Sequence, residues 1–415
     1  MRGWCAGLMI MAMVLAAPAL ATPARAVDPA AEVSARGCAA LAARVDGDEP
    51  QFLASYDDVD DEPALKGAAF TYDNALAAIA LVACGDVAHA VAIGDALVAA
   101  ATMDRADPGG RLRNAYRAGP VSGLALPHGW WDDKAGLWAE DSMQVGTASG
   151  NAAWAGLALL HLEVATGQRR YGQAAARLGQ WAVTHAWDRL WGGFAGGIHG
   201  DGANSMALGW KSTEHNVDLT ALFDWLKRGD ARRWQAPAKA ARAFVAGQFV
   251  AAEGRFLIGT LPDGKSANRA TSGLDAQVWP SLLRNAPKEW RRALAYARTA
   301  HGAGGGVDFN DDRDGIWWEG TAQLALAERV AGDETAGRAR LALLAGQFAP
   351  DGLVWATSVP RLTTGLALAP DHAQADFFYF RRPHLGATAW AVLAAQGWNP
   401  FTGVRLAPPL SPTAR

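Results

Sequence analysis

Two kinds of helical pattern alternate along this chain, and the alternation limits what it can fold into more than any other feature. Tyr72 to Ala83, Gly146 to Val164 and Trp318 to Val330 are rich in Ala and Leu and apolar almost all round, the pattern of a helix buried on every side. Tyr171 to Ala186 differs, with Leu178, Trp181 and Ala182 on one face and Arg177 and Gln180 on another. Trp234 to Phe249 and Glu289 to Thr299 are two-faced in the same way, as helices that cover others are. Sorted on this basis, inner segments span 72–83, 146–166, 214–227, 274–284, 318–331 and 386–396. Outer segments span 31–45, 87–103, 171–186, 234–249, 289–299 and 334–348, giving six of each kind. Pro280 is expected to kink or shorten the fourth inner helix. Strand signals are nearly absent.

The connections fix the register. Cys84-Gly85-Asp86, Thr166-Gly167-Gln168, Arg228-Gly229-Asp230 and Gly332-Asp333 carry inner segments into outer ones. Gly suits the left-handed position past a helix end, and Asp caps the helix that follows. The return connections are far longer, roughly 15 to 40 residues against the usual two to eight between helices, so they all leave at the end where inner helices begin. A closed double ring, an all-α (α/α)6 toroid of six inner and six outer helices, buries the apolar set behind the amphipathic set. An open solenoid would leave its apolar concave face exposed. No linker interrupts residues 27–415, which read as a single domain. With 50% hydrophobic and 19% charged residues in 415, the chain is not a disordered one. Its 38 basic and 41 acidic residues give a net charge of −3 and no electrostatic footprint for nucleic acid.

The first residues read as a leader. Arg2 precedes the apolar run Leu8 to Leu15, which is too short to span a bilayer, and Ala-x-Ala sites end at Ala21 and Ala26. This layout predicts a cleaved signal peptide over residues 1–26 and a periplasmic or secreted protein with no membrane span. Cys5 leaves with the leader. Cys38 and Cys84 remain, as one disulfide or as two buried thiols.

Chemistry-bearing residues collect at the six entrances to the inner segments: Phe70 to Asn74, Glu140 and Asp141 through Asn151, Lys211 to Asn216, Ser272 to Gln277, Trp317 to Thr321, and Arg381 to Gly386. One acid at a helix start is a cap. Nearly every start offers a carboxylate or a His, and acids from several starts converging on one centre push their pKa values apart, as acid/base catalysis requires. Of the 18 Trp in the chain, Trp130, Trp131, Trp138, Trp187, Trp191, Trp210, Trp317, Trp318 and Trp355 lie in the long loops or at inner starts. An indole matches the C–H face and hydroxyls of a pyranose, or pads a loop core.

With Tyr72-Asp73-Asn74, Glu214-His215-Asn216 and Trp318-Glu319-Gly320-Thr321 opening inner helices, the chain resembles the six-hairpin glycosidase superfamily over about Ala31 to Pro400. The resemblance implies a funnel at the inner-helix N-termini and hydrolysis of a glycosidic bond, commonly with inversion. That chemistry needs a protonated acid for the leaving oxygen and an ionised base for the water on the opposite ring face. Glu214, beside Trp210, is the expected acid and Glu319 the base, with Asp73 and Asp275 as substitutes. Tyr72, Asn74, Asn151, His215, Gln277 and His384 are expected to bind sugar hydroxyls. Trp131, Asp141, Trp210 and Trp318 complete the substrate-binding set. Arg381 and Arg382 either touch an acidic sugar or form a solvated pair.

Two other readings stand beside this one. A sugar 2-epimerase would use His215 and His384 to remove and return a proton, and a toroid without catalysis would only bind carbohydrate. In each, a carbohydrate is the partner and the chain acts as a monomer. No cofactor is expected, since zinc-type Cys/His spacing, a phosphate-binding loop and a nucleophile elbow are all missing. The exception to weigh is calcium: Asn310 to Gly315 follows the N-x-D-x-D-G opening of a calcium loop, but its twelfth position is Thr321, where an EF-hand has Glu.

Overall fold

In the computed structural model the alternating segments become helices in the expected order. The structure describes Met1 and residues 28–407 except 58, 60–63, 105–109, 122–125, 127–128, 368–369, 371–373 and 375. The leader expected over 1–26, Cys5 within it, and the side chain of Trp130 lie outside the described residues. The inner helices are α2 (Thr71–Cys84), α5 (Ser149–Thr166), α7 (Thr213–Leu226), α9 (Leu274–Val278), α11 (Trp318–Ala331) and α13 (Leu385–Gln396). The outer ones are α1 (Pro29–Ala42), α3 (Val87–Met103), α6 (Arg169–His185), α8 (Ala231–Gln248), α10 (Arg292–Ala300) and α12 (Glu334–Ala345). A single extra turn, α4 (Ser142–Val145), precedes α5. Extended residues Gly146 to Ala148 follow it, so the inner helix expected from Gly146 begins at Ser149. At the fourth inner position α9 stops at Val278, and Pro280 sits in the 3₁₀ turn Trp279–Leu282 that follows, as a residue without an amide proton dictates.

The inner helices pack in order, α2 on α5, α5 on α7, α7 on α9, α9 on α11, α11 on α13 and α13 back on α2. Each outer helix covers the inner helix before it, and α1 closes the second ring against α12 and α13. Gly85, Gly167 and Gly332 take the left-handed conformation at helix ends (φ 85, 72 and 95°), and Asp86, Asp230 and Asp333 cap α3, α8 and α12. Gly229, expected in the same role as the other glycines, is not left-handed. The Cys38–Cys84 disulfide pins α1 to the end of α2 across a Cα–Cα distance of 6.0 Å. Among the described residues, no helix is long and apolar enough to cross a membrane.

Ring closure is visible in the backbone hydrogen bonds. The first N–H of each inner helix donates to a carbonyl in the extended segment entering the next one: Thr71 to Asn114 (2.9 Å), Ser149 to Gly196 (2.9 Å), Thr213 to Ile258 (2.9 Å), Leu274 to Phe309 (2.8 Å), Trp318 to Ala356 (3.0 Å), and Leu385 back to Ser55 (2.9 Å). These bonds satisfy helix-start donors that have no partner within the helix. Two residues before the acceptor, five of these segments are held again by the fourth residue of the helix they enter. Asn74 bonds both N–H and C=O of Leu53, Asn216 those of Phe194, and Gln277 those of Phe256. Thr321 accepts from Val307 N–H and Thr388 from Val354 N–H. The exception is α5, whose fourth residue is Ala152; there Asn114 bonds Ala148 and Asn151 instead. The six entrances are thus fixed in one repeated frame.

Candidate active site

Because the entry segments are fixed, the first turns of the inner helices bring side chains of their second and third residues together at one end of the ring. Its floor is aromatic. Trp154, Trp279 and Trp390, from three inner positions, stand 5.4 to 5.8 Å apart by ring centroid, with Phe401 5.0 Å from Trp154. Three of the 18 tryptophans therefore plug the ring, a role the sequence pattern assigned to none of them.

Above the plug, five polar side chains interlock. The Trp390 indole N–H donates to the Tyr72 hydroxyl at 2.8 Å, and that hydroxyl donates to Glu319 Oε1 at 2.7 Å. Gln323, one turn along α11, donates to the same oxygen at 3.4 Å. His384 lies between two carboxylates, its Nε2 3.4 Å from Asp73 and its Nδ1 3.6 Å from Glu319 Oε2. Tyr56 stacks on the imidazole at 4.3 Å. Gly386 makes this closeness feasible, since a Cβ there would lie 2.5 Å from Asp73 Oδ1 and 3.0 Å from Glu319 Oε2. Burial lifts the Glu319 carboxyl to about pH 7 against the pull of His384 and the Tyr72 hydrogen bond. Burial alone would lower His384, but Asp73 and Glu319 leave its pKa raised.

Across the hollow, Glu214 opens α7 without a hydrogen-bond partner among the described residues. Burial, then the charge of Glu319, raises it to about 7. Asp275 on α9 is held well above the usual carboxylate range by burial and by Glu214 and Glu319, and its Oδ1 has no partner. Asp218, one turn below Glu214, is fully buried against the Trp154 indole, whose hydrogen bond lowers its pKa while burial, Glu214 and Asp275 raise it strongly. His215 contacts Ser149 Oγ through Nδ1 at 3.2 Å and faces the Trp210 ring at 5.4 Å, and burial lowers its pKa to about 4. Gly150 provides the room, because a Cβ would lie 2.5 Å from His215 and 2.9 Å from Asp218.

The expected residues thus separate. Tyr72, Asp73, Glu319 and His384 are in contact, and Glu214 and Asp275 couple to Glu319 through their charges. Asn151 lies at an entrance, bonded to Asn114 at 2.9 Å. Asn74 and Gln277 are corrected from sugar ligands to clamps, since backbone groups occupy their amides. Asp141 caps α4 through Gln144 N–H at 2.5 Å. Trp318 is buried beside Trp317 in the core rather than open to a ligand. Trp131 sits on a hairpin, edge-on to Trp138 and bonded to Asp133. The Arg381 guanidinium lies over Trp355 at 4.3 Å. The Asn310 loop is not an EF-hand, because Thr321 is inside α11 clamping Val307. Asp308, Asp312 and Asp314 do bring oxygens within 4.8 Å of one another, and Phe309 N–H and Thr363 supply donors to them.

Sequence reasoning missed Asp218 and Tyr379. The first looks like a stray acid inside an apolar helix. The second is on a hairpin (Arg361–Ala367 with Asp376–Phe380) that no strand pattern announced, although the run Phe377-Phe378-Tyr379-Phe380 was a usable signal. Tyr379 packs on Trp317 at 5.3 Å and Phe309 at 6.1 Å. Its phenol is raised well above the ordinary value by burial and then by Glu319, Tyr56, Asp275 and Glu214, which places it at the same hollow.

No known protein-family profile matches the chain, and no curated protein does. Solved structures do match in fold. A glycosidase in complex with glucose is 14% identical, with a TM-score of 0.58 over 90% of this chain and 99% of that one. The cellobiose 2-epimerase from Spirochaeta thermophila DSM 6192 is 12% identical, with a TM-score of 0.59 over 88% and 94%. A GH76 α-mannanase from Bacteroides thetaiotaomicron is 12% identical, with a TM-score of 0.55 over 89% and 98%. The fold is the six-hairpin (α/α)6 toroid, an architecture used by both glycosidases and a sugar epimerase.

Proposed function

We propose that this protein is an exported glycoside hydrolase that cleaves a poly- or oligosaccharide with inversion. The observation that carries the reading is the Glu214–Glu319 pair: two carboxyls at the starts of different inner helices, each raised to about 7 by burial, Glu214 also by the charge of Glu319. Near neutral pH two such carboxyls allow one to hold a proton while the other is ionised, the state that acid/base hydrolysis uses. Glu319 is the base, since the Tyr72 hydroxyl and His384 favour its ionised form. Glu214 is the acid, since no donor stabilises its carboxylate. In the reaction Glu319 takes a proton from water as the water oxygen bonds to the anomeric carbon. The glycosidic C–O bond breaks, and its oxygen takes the proton from Glu214. Asp73 orients His384, and Tyr379 and Trp210 offer faces to the sugar. The disulfide supports export to an oxidising compartment.

The epimerase reading is favoured by one observation, the lodging of His384 between Asp73 and Glu319. It is weakened by His215, whose pKa of about 4 makes it a poor base. The two are separated by incubating the mature protein with bacterial exopolysaccharides and β-glucans. New reducing ends that vanish in Glu214→Gln and Glu319→Gln support hydrolysis. Deuterium entering C2 from solvent, and lost in His384→Ala, supports epimerisation instead.

A further inference from the structure

The funnel holds more acid than the proposed hydrolysis uses. Asp73, Glu214, Asp218, Asp275 and Glu319 face one hollow, and among the described residues the sole cationic partner of any of them is His384. Among the described residues none of their ion pairs involves Lys or Arg. Some buried acceptors in this cluster also lack donors. Asp275 Oδ1, Glu319 Oε2 and Gln323 Oε1 have no partner, and Asp275 and Glu319 are each more than nine-tenths buried. Gln323 lies between Asp275 and Glu319, lowering the pKa of each by hydrogen bonding. Unmatched buried acceptors are costly unless a ligand or water supplies the hydrogens.

A sugar hydroxyl brings one donor and no charge, whereas an ammonium group brings three donors and a positive charge that an ionised Asp275 would balance. We propose, resting on the glycosidase reading, that the sugar bound in this funnel carries a protonated amine, held by Asp275 with Asp218 and Glu214 behind it. When such an amine binds, Asp275 ionises and releases its proton to solvent. The added positive charge is balanced, and Glu214 keeps the proton that hydrolysis needs. A uronic acid would add a further carboxylate among these acids and is expected to bind more weakly.

Three β-1,4-linked tetrasaccharides differing only at C2 test this: cellotetraose, the glucosamine tetramer and its N-acetylated form. Isothermal titration of the wild-type protein should show the amine form binding at least about tenfold tighter than the other two. Its binding heat should change with the ionisation enthalpy of the buffer, reporting the released proton. Asp275→Asn should collapse that preference; should this variant fail to fold, Asp218→Asn and the salt dependence of wild-type binding are read instead. The same comparison with galactosamine, N-acetylgalactosamine and galactose covers the other common configuration. Absence of an amine preference in both series overturns the inference. Hydrolysis of neutral oligosaccharides without amine preference leaves the hydrolase reading intact and removes this one, while amine binding without hydrolysis of any substrate does the reverse.

Discussion

Tyr72 and Glu319 are joined by a 2.7 Å hydrogen bond that links the first inner helix to the fifth, with the phenol itself held by the Trp390 indole at 2.8 Å. The chain of donors ends on the carboxylate proposed as base, so the phenol sets both where that carboxylate points and how readily it ionises. Tyr72→Phe removes one charge-assisted hydrogen bond, typically about 1.5–3 kcal/mol. The expected result is a fall of roughly tenfold or more in kcat/KM. The acid limb of the pH profile should also move to higher pH, because the lost bond favoured the ionised form. A pH series of kcat/KM on both proteins checks this.

The acid and the base respond differently to the leaving group. An aryl glycoside with a good leaving group needs little proton donation. Glu214→Gln should keep a measurable rate on it, lose the alkaline limb of the profile, and lose nearly all activity on unactivated saccharide. Glu319→Gln should lose both activities.

Burial of neutral carboxyls makes stability fall as pH rises. Glu319 has a folded pKa of about 7 against the ordinary 4.5. Its contribution is fully present below pH 4.5 and is lost as pH climbs through 7. For this nearly inaccessible group the difference is on the order of 3 kcal/mol. Thermal unfolding should therefore give a higher Tm at pH 5 than at pH 8, and Glu319→Gln should narrow that gap.

The entry clamps hold the funnel rather than the substrate. Asn216→Ala leaves the N–H and C=O of Phe194 without their side-chain partner. The cost is about 1–3 kcal/mol for each buried group stranded. Denaturant unfolding should register that loss. Asn151→Ala, at the one entrance without a clamp of this kind, should cost less.

The disulfide closes a separation of 46 residues. The chain-entropy relation puts its effect at about 4 kcal/mol. Cys38→Ser should lower the unfolding midpoint accordingly, and reductant should do the same to the wild-type protein and nothing to the variant.

The sequence displayed the toroid clearly because two periodicities alternate, and because Gly85, Gly167 and Gly332 end their helices where the pattern stops. The site was only half legible. Asp73, Glu214, Asp275 and Glu319 stand at helix starts, where acids draw notice. Asn74 and Gln277 stand there too, and an amide atop an apolar helix looks the same whether it will meet a sugar or the backbone of Leu53 or Phe256. Only the path of the entering segment decides, and that path is tertiary. Asp218 was hidden because the pattern of α7 marks it as one polar position in a buried helix. Tyr379 was hidden because its own strand, Asp376–Phe380, is partly buried at every position and shows no alternation.

The most direct test of the central claim is proton NMR of the wild-type protein acting on an accepted oligosaccharide in heavy water. The account predicts that new anomeric signals appear first in the configuration opposite to that of the cleaved bond, with the C2 proton retained in every product and no signal from Glu319→Gln. Exchange of the C2 proton without new reducing ends would contradict it.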